Sequence, residues 1–234
     1  MHMKPSRILA RLRAGQMAAC TKLNLADPRV VEIAALAGFD CVWVDHEHVA
    51  NTALDIENMV RAAKAYGIDS IVRVPRGSYS DLIQPLEIDA TGIMVPHVMS
   101  LADARQILRF TRFHPIGRRP VDGGNADGAF CFLDGPDYIR EANDQRMVIM
   151  QIEDPEPMAE LDAIAQLPGL DMLFFGPTDF SQGLGVPFQF DDPRIVEARR
   201  QVAAAARRHG KFAGTVASPS TLAACHEEGY RFLS

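Results

Sequence analysis

The chain has 234 residues, 47% hydrophobic and 23% charged, with a formal net charge of −6 and a pI near 5.6. This is an ordinary globular composition, and without a long Lys/Arg cluster it offers no surface for tracking nucleic-acid phosphates. Cys20, Cys41, Cys131 and Cys225 form no CxxC pair, no apolar run approaches the ~18–20 residues of a membrane helix, and no leader peptide is apparent; a reduced, cytoplasmic setting away from membranes is expected.

Short apolar, β-branched runs recur along the chain: MAACTKL, FDCVWVD, DSIVRVP, TGIMVPH, RMVIMQIE, DMLFFGP and KFAGTVA. Each reads as a buried strand. Segments with three- and four-residue apolar spacing lie between most of them: 30–37, 53–66, 101–110, 158–167 and 195–209. Asp27-Pro28 and Asp192-Pro193 suit an N-cap followed by a first-turn proline, while Gly38, Gly67 and Gly210 suit left-handed C-terminal caps. Serial β-α alternation predicts a parallel sheet. Seven strands are visible, and YRFLS begins an eighth. With no Gly-rich nucleotide fingerprint after any strand, a single (β/α)₈ barrel domain over residues 1–234 is favoured over an open doubly wound sheet. One irregular stretch, from Arg112 to about Leu133, suits a substrate-facing or subunit-facing loop.

In a barrel, catalytic groups come from the C-terminal ends of the strands. Those ends carry Asp45-His46-Glu47-His48, Arg73-Val74-Pro75, Pro96-His97, Gln151-Ile152-Glu153 and Gly176-Pro177-Thr178-Asp179. Glu153 and Asp179, on neighbouring strands, suit an octahedral Mg²⁺ or Mn²⁺ site, or else cap the helices that follow them. Arg73 suits a bidentate contact to a carboxylate or enolate oxygen, or a structural ion pair with Asp45 or Glu153. Strand alternation puts Asp45 and Glu47 on one side and His46 and His48 on the other, so the four do not form one metal site, and the HExxH spacing of zinc proteases is absent. His48, just beyond the strand, can exchange protons near neutrality. His97, His114, His209 and His226 read as satisfied polar residues, and His46 has no assignable role. Lys22, at the end of the first strand, is the one candidate for a Schiff-base aldolase. Arg118 and Arg119 suit either an anionic substrate tail or solvated or inter-subunit charges.

VWVDHEH, VRVP, GIMVPHV, QIEDPEPM and FFGPTDFS, in this order and spacing, resemble the HpcH/HpaI class II pyruvate aldolases. The resemblance implies a (β/α)₈ barrel assembled as a homo-oligomer, typically a hexamer, with a last helix that is missing here or exchanged between subunits. It implies reversible cleavage of a 4-hydroxy-2-oxo acid to pyruvate and an aldehyde through a metal-stabilised enolate, with Mg²⁺, Mn²⁺ or Co²⁺ as cofactor. Residue by residue, it assigns Glu153 and Asp179 to the metal. Arg73, Gln151, Gly176, Pro177 and Thr178 fall to the substrate, His48 to acid/base work, and Asp45 and Glu47 to supporting that network. Oxaloacetate decarboxylation and carbon–carbon bond formation through the same enolate are the alternative, and a barrel that has lost catalysis is the non-enzyme reading. Two departures stand out: His46 replaces a usually small residue, and GRRPVDGGNADGAF replaces a shorter GxRG-type pattern.

Overall fold

The computed structural model describes residues 1–234. Eight parallel strands close into a barrel: β1 Ala18–Leu23, β2 Cys41–Asp45, β3 Asp69–Arg73, β4 Gly92–Val95, β5 Met147–Ile152, β6 Met172–Phe175, β7 Phe212–Thr215 and β8 Phe232–Leu233. β8 is short but decides the topology, because it pairs with both β1 and β7 and leaves the sheet without an edge. The ten helices are α1 Arg7–Arg13, α2 Pro28–Leu36, α3 Ala53–Tyr66, α4 Tyr79–Glu87, α5 Leu101–Thr111, α6 Gly135–Gln145, α7 Leu161–Ala165, α8 Pro177–Gly183, α9 Pro193–Arg208 and α10 Leu222–Glu228.

Helix boundaries follow the punctuation read from sequence. Asp27 and Asp192 cap α2 and α9 by accepting from the amides two residues on, with proline in the first turn of each. Thr52 and Asp55 form a reciprocal capping box on α3, and Gly67, at φ 73°, ends it in the left-handed region that glycine enters without a steric penalty. α4 was hidden in the sequence because Pro85 lies inside it. The seven-residue α1, α8 and α10 are too short for a periodic pattern to show, and the 11-residue α6 also escaped the sequence reading. From Arg112 to Leu133 the chain is irregular apart from one 3₁₀ turn at Ala126–Gly128.

Two hydrophobic layers result. The outer one packs Val42, Val44, Val72, Ile93, Val148, Leu173 and their alternates against the helices. The inner one fills the barrel with Cys20, Cys41, Trp43, Ile71, Met94, Ile149, Met172, Phe174 and Phe232, and α1 plugs its base with Ile8, Leu9 and Leu12. Trp43 meets Phe174 edge-to-face with ring centroids 5.5 Å apart, which makes a solid aromatic floor rather than a pore. Side chains two apart on a strand share a face. Thus Cys20 leads to Lys22, Trp43 to Asp45, Ile71 to Arg73, Ile149 to Gln151, and Phe174 to Gly176, all at the C-terminal mouth above the floor.

Candidate active site

Arg73 and Asp45, register partners on β3 and β2, form a buried bidentate pair: Nε donates to Oδ1 at 3.0 Å and Nη2 to Oδ2 at 2.6 Å. Nη1 of Arg73 lies 3.1 Å from Glu47 Oε2, so two carboxylates hold one guanidinium. Trp43 lies beneath, its ring centroid 4.8 Å from Arg73 Cζ. Lys22 Nζ reaches Asp45 Oδ2 at 2.8 Å. Burial alone would raise the Asp45 carboxyl, but Arg73 and Lys22 outweigh it and hold the group well below the usual carboxylate range. Asn51 donates to the Asp45 carbonyl at 2.5 Å, and the Glu47 and His48 amides turn in toward Asp45 Oδ1, so the segment after β2 folds back over the strand end.

The opposite flank is short of positive charge. Glu153, just past β5, is fully buried and has no Lys or Arg partner. Gln151 donates to its Oε2, and the His97 amide donates to its Oε1 at 2.9 Å. Burial pushes the Glu153 carboxyl up to about 7; the amide and ring of His97 pull it down, while the charges of Asp179 and Glu47 push it further up. His97 stands between these acids, its Nδ1 2.9 Å from Asp154 Oδ2 and its Nε2 3.7 Å from Glu47 Oε1. Burial lowers the imidazole, but Asp154, Glu153 and Glu47 together hold it above its ordinary value. Its φ of 47° is left-handed, which costs a non-glycine residue roughly 1 kcal/mol or more. In return its amide points at the buried carboxylate.

Comparison with known proteins gives this arrangement a family. The model of the HpcH/HpaI aldolase/citrate lyase family matches residues 22–234. The chain belongs to this family. A 2-keto-3-deoxy-L-rhamnonate aldolase of Klebsiella pneumoniae is 34% identical over 213 residues, which cover 91% of this chain and 79% of that protein. A hydroxypyruvate/pyruvate aldolase of Pseudomonas aeruginosa is 33% identical over 95% of this chain and 83% of its own length. Among solved structures, an HpcH/HpaI aldolase from Desulfitobacterium hafniense superposes with a TM-score of 0.90 at 31% identity, covering 98% of this chain and 89% of that one. The citrate synthase SbnG superposes at 0.88 with 32% identity, covering 97% and 89%.

Within this family member, the donor set fits a hard divalent cation. Glu153 and Asp179 offer carboxylate oxygens, the donor type that Mg²⁺ or Mn²⁺ takes, and their charges act on each other. A buried acid beside other acids, with no arginine or lysine against it, is a site whose charge a cation would balance. Gly176 keeps that space open: a Cβ there would fall 2.8 Å from Glu153 Oε2 and 3.0 Å from Gln151 Nε2.

The remaining expected residues divide. Asp45, Glu47, Arg73, Gln151, Glu153 and Gly176 gather at the mouth, with Pro177, Thr178 and Asp179 following in the first turn of α8. His48 sits at the rim, its side chain 58% exposed and its Nε2 3.6 Å from Glu47 Oε2. His46 turns outward into a groove between α3 and α4 lined by Glu57, Asp81, Gln84 and Asn125. Arg118 and Arg119 lie near the C-terminal end of α5, on the outer wall. There Arg119 is buried against Asp127 at 2.7 Å, a structural pair rather than a contact for substrate at this chain's mouth. His97, read from sequence as a satisfied polar residue, is the group that reading undervalued. The available signal was its position, directly after a strand and a proline, in the same setting as His48.

Proposed function

We propose that this chain is a divalent-metal-dependent aldolase that reversibly cleaves a 4-hydroxy-2-oxo acid to pyruvate and an aldehyde. The observation that carries this reading is the pairing of a clamped, buried Arg73 with a buried acid, Glu153, that has no lysine or arginine against it. Its sequence relatives named as aldolases support the same reaction class.

Glu153 and Asp179 would hold Mg²⁺, Mn²⁺ or Co²⁺, and the bound cation would act as a Lewis acid on the 2-oxo group. Arg73, kept rigid by Asp45 and Glu47, would stabilise the negative charge that grows on the 2-oxo oxygen as the C3–C4 bond breaks. Gln151 would fix the orientation of the 2-oxo acid, and the backbone around Gly176, Pro177 and Thr178 would receive its carboxylate. His48, steadied by Glu47, would take the C4 hydroxyl proton and return a proton to C3.

The three buried cysteines and the absence of any helix long and apolar enough to cross a membrane support a reducing, cytoplasmic setting. Exposed Val121, Phe130 and Phe132 on the 112–133 loop, with Phe188 and Phe190, support a homo-oligomer of this single barrel domain. The likeness to the citrate synthase SbnG supports a second reading, in which the same enolate is consumed by carbon–carbon bond formation or produced by oxaloacetate decarboxylation.

The deciding experiment is exchange of the pyruvate C3 protons in deuterated water by chelator-treated protein, with each cation added back, followed by a screen of aldehydes. Exchange that returns with the cation and carboligation with an aldehyde are expected. No cation-dependent exchange would sink both readings; exchange with no aldehyde accepted would favour the second.

A further inference from the structure

We infer that Lys22 is a specificity residue that receives the carboxylate of a short acidic aldehyde, deepening the aldolase reading on which it rests. Lys22 occupies an inward-facing position on β1, its Nζ 2.8 Å from Asp45 Oδ2 and 5.4 Å from the centroid of the Trp43 ring. An ammonium in that position could simply brace Asp45. That carboxylate, however, already has both Arg73 bonds and the amides of Glu47 and His48. Lys22 adds one further contact, at Oδ2, to a carboxylate whose position the Arg73 clamp already fixes.

Exposure separates the two cations. The Arg73 side chain is 4% exposed and committed to two carboxylates, whereas that of Lys22 is 33% exposed. An ammonium has three donors, and the contact with Asp45 uses one of them. The other lysines are engaged away from the mouth: Lys4 with the Lys64 carbonyl, Lys64 with Asp89, and Lys211 with the Leu167 carbonyl. Around the rest of the mouth stand Glu47, Glu153, Asp154 and Asp179. With Glu153 and Asp179 assigned to the divalent cation, Glu47 and Asp154 still oppose an anionic aldehyde, and Lys22 is the lysine placed to meet it.

Position sets which end of the substrate Lys22 can meet. The groups assigned to the 2-oxo acid come from β3, β5 and the β6–α8 turn, while His48, assigned to the C4 hydroxyl, follows β2, which pairs with β1, where Lys22 emerges. Because Lys22 and Arg73 share Asp45 Oδ2, their cationic heads lie close together. A carboxylate on Lys22 therefore belongs on, or one or two carbons from, the aldehyde carbon. Glyoxylate is the simplest such molecule, and glycolaldehyde is its neutral counterpart.

The test measures kcat/KM for carboligation of pyruvate with glyoxylate and with glycolaldehyde in the wild type, Lys22→Met and Lys22→Arg. The ratio of glyoxylate to glycolaldehyde should fall by about tenfold or more in Lys22→Met, mainly through KM for glyoxylate, and recover in Lys22→Arg. In the wild type, added salt should raise KM for glyoxylate more than for glycolaldehyde, a check independent of whether either variant folds. An equal fall on both acceptors would reduce Lys22 to a brace for Asp45 and overturn the assignment, as would a salt response shared by both. A borohydride-trapped pyruvate adduct on Lys22 would overturn it in favour of Schiff-base chemistry. Pyruvate C3 exchange is measured in parallel: its absence fails the aldolase reading and this assignment with it, while exchange with an unchanged ratio fails the assignment alone.

Discussion

The two ends of the barrel treat buried charge in opposite ways. At the base, Asp69 accepts from Ser6 Oγ at 2.7 Å and from the Ile8 amide at 2.8 Å, which locks α1 in place. Asp40 holds Arg7 at 3.0 Å, Arg11 at 3.2 Å and the Ala19 amide at 3.0 Å. Asp89 holds Arg146 at 2.5 Å together with Lys64. At the mouth, acids outnumber their cationic partners, and, leaving aside Glu47 Oε2, which pairs with Arg73 Nη1, three of the five other buried side-chain atoms without a hydrogen-bond partner are found there: Trp43 Nε1, Asn51 Oδ1 and Gln151 Oε1. Unfilled polar atoms are costly in a folded interior. Their concentration at one end marks the mouth as the part shaped for something other than stability, while the base is built to hold the barrel closed.

Substitutions can test that contrast. The largest effect is expected for Glu153→Ala, which should lower cation-dependent pyruvate exchange by about 10³-fold or more, the several kcal/mol that a Lewis acid supplies. Its thermal midpoint should hold or rise, because an uncompensated buried acid has been removed. A lowered midpoint would mean that Glu153 serves the fold as the base acids do. Next comes Asp89→Asn at the base, which strands Arg146 and should cost about 3–5 kcal/mol in denaturant unfolding while leaving exchange per folded molecule intact.

The smallest effect concerns pH and Asp45, the one mouth acid treated as the base treats its own. Its native-state value lies well below the ordinary aspartate value, so its stabilisation is complete above that ordinary value and is lost as pH falls through the depressed native value. Removing one such proton uptake should flatten the acid limb of an Asp45→Asn unfolding curve by up to about 1.4 kcal/mol per pH unit relative to wild type. Parallel acid limbs would show that Asp45 contributes no linkage.

Much of the fold was readable because β-α alternation is a local pattern. FDCVWVD and RMVIMQIE are apolar without a break because both faces of a barrel strand are buried, one in the inner layer and one under helices. α4 was not readable because an internal proline masks a helix held by its capping box and packing. At the site, Arg73, Asp45, Glu153 and Asp179 could be named from strand ends. The sequence did not reveal which acid would be neutralised: Asp45 and Glu153 look alike in one dimension, yet one faces two cations and the other faces acids. His97 was undervalued for the same reason, since its partners Glu47, Glu153 and Asp154 come from other βα units.

Residue order by itself determined the alternation of strands and helices, the proline-backed N-caps Asp27 and Asp192, and the set of polar residues at strand ends, because each depends on neighbours within a few positions. Tertiary structure alone decided that the two residues of β8 close the ring, that His46 turns away from the mouth, and that Arg119 is spent on Asp127. It also decided that Lys22 is left with donors to offer. These outcomes depend on distances between segments far apart in the chain, and the strength of a charge or hydrogen bond is set by what those distances place beside it.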